Sequence, residues 1–351
     1  MDMSLFCQNN LLDTQESLSR YRPGGYHPVT LSDTFKNGRY RVYHKLGWGG
    51  FSTVWLADDR DRNRWVSLMI MTADLRDSRD LEKLKVLGSH SRGGLSSNYI
   101  VQLLDSFSHE GANGVHQCLV FELLGPSVDR VLADYREGHD KLCPETVLQM
   151  STQLLKALKL IHSAGTSHGD ISDRNMAFSC TNLSHASENE LFEVLGTPEI
   201  ELLARVDGAP LHNGLPTQLV KAAEWVEWVD EDDEEIRLLD VGESFLQGEE
   251  PNVLAQPGTL RIYSFVFTTY PFWYLGEDEV LVFPMIGLVE SLPAEWQPKR
   301  LERKFAEEVR DPKLAPLLPV IQGLMRFLTS ARTTADKALD VLSRTGAQLE
   351  Q

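Results

Sequence analysis

"LGWGGFSTVW" (residues 46–55) sets glycines at 47, 49 and 50 between two stretches of strand character. "YRVYHKL" (40–46) leads into it and "TVWLADD" (53–59) overlaps its end, both rich in β-branched and aromatic residues. The element on the far side of the glycines decides the fold. A dinucleotide-binding fold would place a helix there, and here a strand comes next. A Walker loop needs G-K-[ST], which the stretch lacks. What remains is a glycine-rich β-hairpin whose backbone can approach a polyphosphate closely. Taken alone, such a hairpin is equally well a plain tight turn.

Working outward, "WVSLMIM" (65–71) reads as a third strand, and "DSRDLEKLKVL" (77–87) changes to helical spacing through Leu81, Leu84 and Leu87. "YIVQLLDSF" (99–107) and "HQCLVFELL" (116–124) return to strand character around the turn "GANG" (111–114). From Cys143 the pattern is helical for some twenty residues, with Pro144 at the first helical position and Gly165 past the end. Val147, Leu148, Leu154, Leu155, Leu158 and Ile161 form its apolar stripe. Residues 1–38 are polar, contain "RPGG" (22–25), and read as an irregular arm. Residues 177–235 are of mixed composition and end in the solvated acidic run "DEDDEE" (230–235). After residue 277 the chain reads as helices joined by Pro-rich links. The expected class is α+β and bilobal. An antiparallel five-stranded lobe with one helix (39–122) precedes a mainly helical lobe (123–351), with a cleft between them.

The 351 residues carry a net charge of −17, which argues against a nucleic-acid surface and against an anionic membrane face. The charge fits a basic partner, although solubility alone explains it as well. Cys7, Cys118, Cys143 and Cys180 are scattered, so neither a zinc site nor a disulfide framework is expected. No run of 18 apolar residues exists, and "MDMSLFCQNN" lacks a basic region followed by an apolar core. An intracellular, reduced compartment is expected.

"HGDISDRN" (168–175) directly succeeds the long helix, and "LDVG" (239–242) ends a strand. Asp170 is placed to accept the proton of an attacking hydroxyl, and Asn175 and Asp240 to hold a metal ion. Each residue alone is more simply a polar loop residue. Three such motifs in this order make coincidence a poor account. Phosphoryl transfer needs only a few converging groups, because it is mostly positioning and charge stabilisation.

On these residues the chain resembles the SR-protein kinase family, a group of serine/threonine protein kinases, and most of all its divergent fungal-like branch. "GGYHPV" (24–29) and "LGWGGFSTVWLA" (46–57) carry the likeness most specifically, and "VFELLG" (120–125) resembles the family's hinge. The resemblance runs from about residue 24 to about 262 and resumes weakly at "GEDEVL" (276–281). It implies a bilobal protein-kinase fold, ATP and Mg²⁺ as cofactors, and transfer to Ser in basic Arg/Ser-rich proteins. A monomer in the cytoplasm or nucleus is expected. Leu46, Gly47, Trp48, Gly49, Gly50, Phe51, Ser52 and Val54 would roof the nucleotide. Ser67, Met69, Glu82, the gatekeeper Phe121, Glu122 and Leu124 would line it. Asp170, Ser172 and Asn175 would form the catalytic loop, and Asn175 and Asp240 the metal site. The family also carries an insert between catalytic loop and Asp-x-Gly, here 177–235.

The chain departs from that pattern in three places. Met69 stands where the family's third strand has the Lys that grips the α- and β-phosphates, so Glu82 loses its partner. The glycine loop holds no Lys, and Lys45 lies just outside it. Losing one charged clamp costs on the order of a thousandfold in rate. Ser172 replaces a second Lys, and Gly169 replaces the Arg of the common His-Arg-Asp form. After "GTLRI" (258–262) the family's Ala-Pro-Glu-like segment and its buried Asp-x-Trp helix are absent. Either the second lobe is truncated there, or the apolar "YSFVFTTYPFWYLG" (263–276) fills the place poorly and lowers stability. Phosphotransfer is expected to be weak or lost, the alternative being a pseudokinase that binds a partner.

Overall fold

The computed structural model describes residues 2–74, 81, 99–225, 228, 232–246, 261–269, 300–325 and 332–349. Apart from the buried Leu81, the helix expected over 77–87, with Glu82, lies outside the described residues, as does "GEDEVL" (276–281). The chain divides into two compact units. The first holds Met1–Gly88, Val101–Gly125 and Ser179–Val229, and the second holds Ser89–Ile100, Pro126–Phe178 and Asp230–Gln351.

The first unit is built on strands β1 (Thr34–Phe35), β2 (Tyr40–Gly49), β3 (Ser52–Asp59), β4 (Arg64–Met71), β5 (Leu103–Gly111) and β6 (Gly114–Glu122). They form one antiparallel sheet in the order β1-β2-β3-β4-β6-β5. The five expected strands are all present. The sixth, β1, is a two-residue piece of the arm, too short to show a period. Alternation puts Tyr40, Val42, Trp55, Ala57, Val66, Leu68, Ile70, Cys118 and Val120 on one face, where they form the core with Val29 and Phe35.

The arm is irregular in backbone, with only the 3-10 turns Met3–Leu5 and Leu18–Arg20 and strand β1, but it is packed. Phe6, Leu11, Leu12, Leu18, Tyr21 and Tyr26 pack with Leu203 and Leu219 in a core of their own. Leu203 and Leu219 come from the insert, where strands Ile200–Leu202 and Gln218–Val220 pair antiparallel. Residues 179–229 therefore group with the sheet, not with the helical half in which the sequence had set them. The cause is apolar burial. Val220 joins the sheet core, and Leu191 and Leu195 of the insert helix Glu188–Leu195 pack with Leu56, Trp65 and Leu123. The Ala223 N–H donates to the Lys45 carbonyl at 2.9 Å and fixes the insert to the edge of β2.

The second unit is helical: α1 (Val128–Glu137), α2 (Pro144–Ser163), α3 (Arg261–Phe267), α4 (Arg300–Glu308), α5 (Leu317–Leu324) and α6 (Ala335–Leu349). The Cys143 side chain caps α2, Pro144 opens it, and Val147, Met150, Leu154, Leu155, Ala157 and Ile161 are buried along it. Ile262, Tyr263, Phe265, Val266 and Phe267 of α3 are also buried, so this part of the apolar run is covered. Residues 270–276 lie outside the described residues. Among the described residues no helix is long and apolar enough to cross a membrane.

On the arm side of the sheet, His27 lies with its ring centroid 4.6 Å from His109 and 5.0 Å from His116, which face each other across β5 and β6. Burial lowers the pKa of all three, His27 from 6.5 to about 3. A histidine held neutral in the folded state binds fewer protons there than in the unfolded chain. Its contribution is complete above the unfolded value and is lost as pH falls toward the folded one. Asp33 is the acidic group that opposes this, at His109. Urea unfolding should show stability falling by about 2 kcal/mol between about pH 6.5 and about pH 4.5, above the range where the carboxylates titrate. His27→Phe should make that fall shallower, leaving the part due to the other histidines whose pKa burial lowers.

Candidate active site

In the first unit the glycine hairpin is the tip of β2 and β3, closed by the pair Gly49–Ser52. A Cβ added at Gly47, Gly49 or Gly50 would meet nothing within 4 Å. The protein's own packing therefore does not require these glycines, and the open space beside them fits a polyphosphate. Leu46 is half-buried, while Trp48 and Phe51 at the tip are exposed. The backbone is tied from behind. The Tyr26 hydroxyl donates to the Gly49 carbonyl at 2.5 Å, Arg20 Nη2 donates to the Gly50 carbonyl, and the Thr72 N–H to the Phe51 carbonyl at 2.9 Å.

Register defines the sheet face below the hairpin. Val54 pairs with Met69, Ser52 with Met71, and Ser67 with Phe121, so Val54, Ser67, Met69 and Phe121 share one face. Lys45 is on the other. It pairs with Trp55, and its amine is buried against the Glu16 carboxylate of the arm, which also accepts from the Tyr21 hydroxyl at 2.5 Å. Burial lowers the pKa of the Lys45 amine against the pull of Glu16. Lys45, beside the hairpin, is thus held away from the face where Met69 stands. Glu122 uses its N–H on the Gln102 carbonyl at 3.2 Å and its carboxylate on the Gln102 N–H at 2.9 Å. Leu124 is buried where the chain leaves this unit.

In the second unit, two antiparallel pairings pin the segment 168–175. Thr166–Ser167 pairs with Phe245–Leu246 before it, and Met176–Ser179 with Ile236–Leu238 after it. The loop is therefore set opposite residues 239–244. His168 is buried; its Nδ1 accepts from the Asp170 N–H at 3.4 Å, so Nε2–H donates to the Leu239 carbonyl at 2.8 Å. The Leu239 N–H donates to the Asn175 carbonyl at 2.8 Å. Asn175 Nδ2 donates to the Asp170 carboxylate at 2.9 Å and to its carbonyl at 3.0 Å, which turns Oδ1 away from Asp170. Asp240 has φ +52° and is exposed; its Oδ1 accepts from the Gly242 N–H at 3.1 Å, a local bond that lets Asp adopt this conformation. Ser172, partly buried, caps the 3-10 turn Asp173–Asn175 by accepting from the Asn175 N–H at 3.2 Å.

Few oxygen donors converge here. Among the described residues no cluster of three His, Cys, Asp or Glu side chains can hold a metal by itself. One carboxylate and one amide oxygen suit Mg²⁺, which keeps waters and takes its remaining ligands from substrate phosphates. Gly169 has φ +85°, and a Cβ on it would lie 2.0 Å from the Glu243 carbonyl oxygen. No Arg can stand at this position in this backbone.

Sequence reading missed Arg20, Tyr26 and Glu16, which hold the hairpin. Only "GGYHPV", which contains Tyr26, drew attention to the arm. The bond from Ser264 to Asp173 at 3.2 Å also carried no sequence signal.

Residues 40–184 match the family model described as the protein kinase domain. In structure the chain is similar to the crystal structure of the PF14_0431 kinase domain, with TM-score 0.60 and 14% identity over 90% of this chain and 98% of that one. The fold is that of a protein kinase domain. Serine/threonine-protein kinase SKY1 of Saccharomyces cerevisiae is 38% identical over 170 residues, 46% of this chain and 23% of that protein. Protein kinase dsk1 of Schizosaccharomyces pombe is 38% identical over 167 residues, 46% of this chain and 30% of that protein. SRSF protein kinase 3 of Homo sapiens is 35% identical over 170 residues, 47% of this chain and 29% of that protein. The matched residues are thus similar to kinases of the SR-protein type, as "LGWGGFSTVWLA" led us to expect. It matches less than a third of the length of each of these three relatives.

The geometry sets two expected outcomes. Lys45→Met or Glu16→Gln alone leaves a buried group without its partner and should cost about 3–5 kcal/mol in urea unfolding, while the double variant recovers at least half. Gly169→Ala must displace the Glu243 backbone and adopt a left-handed φ. It should lower stability by about 1–3 kcal/mol, while Gly49→Ala leaves the thermal midpoint unchanged.

Proposed function

We propose that this chain descends from serine/threonine kinases acting on basic Arg/Ser-rich proteins, and that its phosphotransfer is weak or lost. The observation that carries the reading is a division within the site. The groups that would handle the proton and the metal are bonded to one another: Asn175 donates to Asp170, and Leu239, next to Asp240, donates to the Asn175 carbonyl. Among the described residues, the position expected to grip phosphates is the uncharged Met69, beside Val54, and Lys45 is committed to Glu16.

Asp170 would accept the proton of a substrate serine hydroxyl as that oxygen attacks the γ-phosphorus of ATP. Mg²⁺, when bound, would neutralise charge on the phosphates, and Asn175 and Asp240 would hold it. Gly47, Gly49 and Gly50 would let the hairpin close over the phosphates, with Leu46, Trp48, Phe51, Ser52 and Val54 as the roof. Ser67, Phe121 and Leu124 would line the base, and Ser172 would set the loop. The net charge of −17 supports a basic substrate, and the name of the human relative points the same way. We take the arm (1–38) and the insert (177–235) as additions to lobes at 39–122 and 123–351, and a monomer in the cytoplasm or nucleus as the working form. The second reading, a pseudokinase that binds a partner with or without nucleotide, is favoured by Met69 alone.

The test is transfer from labelled ATP with Mg²⁺ to an Arg/Ser-rich peptide, with Asp170→Ala as the control. Met69→Lys should raise kcat/KM at least about tenfold, since one phosphate clamp is worth several kcal/mol. Transfer by Met69→Lys no higher than that of Asp170→Ala, from folded protein, would move the chain to the second reading.

A further inference from the structure

We propose that Ser264 is a positioning residue for the segment His168–Asn175, acting through Asp173. This rests on the reading that Asp170 and Asn175 form the reacting part of the site. Asp173 is the first residue of the 3-10 turn that ends at Asn175, and it is 1% exposed. A carboxylate is rarely buried so fully unless it is paired. Ser264, also 1% exposed, donates its hydroxyl to Asp173 Oδ1 at 3.2 Å. Its neighbours on α3 are all apolar and buried: Ile262, Tyr263, Phe265, Val266 and Phe267. Packing of α3 does not call for a hydroxyl there, whereas the loop carboxylate does.

The helix that carries Ser264 is itself held. Arg136 at the end of α1 donates through Nε to the Thr268 carbonyl just past α3, at 3.0 Å. A continuous path results. α1 fixes the end of α3, Ser264 fixes Asp173, and the turn from Asp173 to Asn175 sets the amide that orients Asp170. Ser172 caps that same turn, so Asp173 is gripped on its side chain while the backbone beside it is gripped by the cap. Without the Ser264 hydroxyl the buried carboxylate loses that donor, and the turn it opens is held less tightly. The Asn175 amide loosens with it.

The experiment uses the full chain with Ser264→Ala and Ser264→Thr, read by amide hydrogen exchange and by phosphotransfer. Ser264→Ala should speed exchange in a peptide covering 168–176 at least about fivefold, with α2 and α5 unchanged. Where the parent transfers phosphate, kcat should fall at least about tenfold while KM for ATP stays within about twofold. Ser264→Thr, which keeps the hydroxyl, should restore both. Unchanged exchange at 168–176 overturns the proposal. So does acceleration spread over α2 and α5, which would make Ser264 a packing residue. Local acceleration reversed by Thr, in a parent with no transfer at all, supports the positioning role and rejects instead the assignment of Asp170 as a working base.

Discussion

The Lys45–Glu16 pair is the contact on which the glycine hairpin of the first unit depends. Both side chains are almost fully buried, and a buried ion pair gives little net stability, because removing two charges from water offsets most of their attraction. What it supplies is commitment. With Lys45 anchored to the arm, β2 has one rotational setting, and the Tyr21 hydroxyl on the same carboxylate ties the arm to it. Tyr26 and Arg20 then reach the carbonyls of Gly49 and Gly50 from the same segment. A hairpin of three glycines would otherwise have wide backbone freedom. Here side chains from some twenty to thirty residues earlier restrain it.

The second unit solves a comparable problem by different means. Its polar loop is too short to hold itself, so strand pairings flank it on both sides and buried polar groups hold it from within. His168 bridges the loop and the segment carrying Asp240 through one imidazole, neutral because burial lowers its pKa. The closeness of the two segments explains Gly169. The Glu243 carbonyl occupies the space a side chain would take. The exchange of Arg for Gly therefore belongs with the path of the backbone after Asp240, and cannot be read as the loss of one side chain alone.

Much of this was legible in the sequence where the signal was periodic. The five main strands alternate, and α2 carries a cap, an N-terminal proline, an apolar stripe and a terminal glycine. "HGDISDRN" and "LDVG" stood out in the sequence because their residue types fit one chemistry in one order. Lys45 shows why the remainder was not. Counting by twos from Tyr40 and Val42 puts Lys45 on the face of Val54 and Met69. The register shift between Val42 and His44 reverses it, and the one between Lys45 and Gly47 restores the count only beyond Lys45. A slip of one residue sends a side chain to the opposite face, and nothing in "YRVYHKL" marks where it occurs. The insert was misplaced for a related reason. Its strands are three residues long, too short for a pattern, and its position is set by where Leu203, Leu219 and Val220 find apolar surface.

The loop 168–175 keeps its internal bonds, while Met69 brings no charge to its face of the sheet. The two are not equivalent evidence about chemistry. The bonds among His168, Leu239, Asn175 and Asp170 also satisfy buried polar groups, and a chain that had abandoned catalysis would still need them to fold. Their presence is compatible with either reading. A phosphate-gripping lysine has no such second use. An unpaired amine on the Met69 face contributes little to stability, so only nucleotide binding or transfer would preserve it. Met69 is therefore the more informative position, and Lys45 sharpens it. The residue that by alternation would have offered a replacement charge is paired and buried on the far side of the sheet, and recovering it would mean breaking the contact that fixes β2.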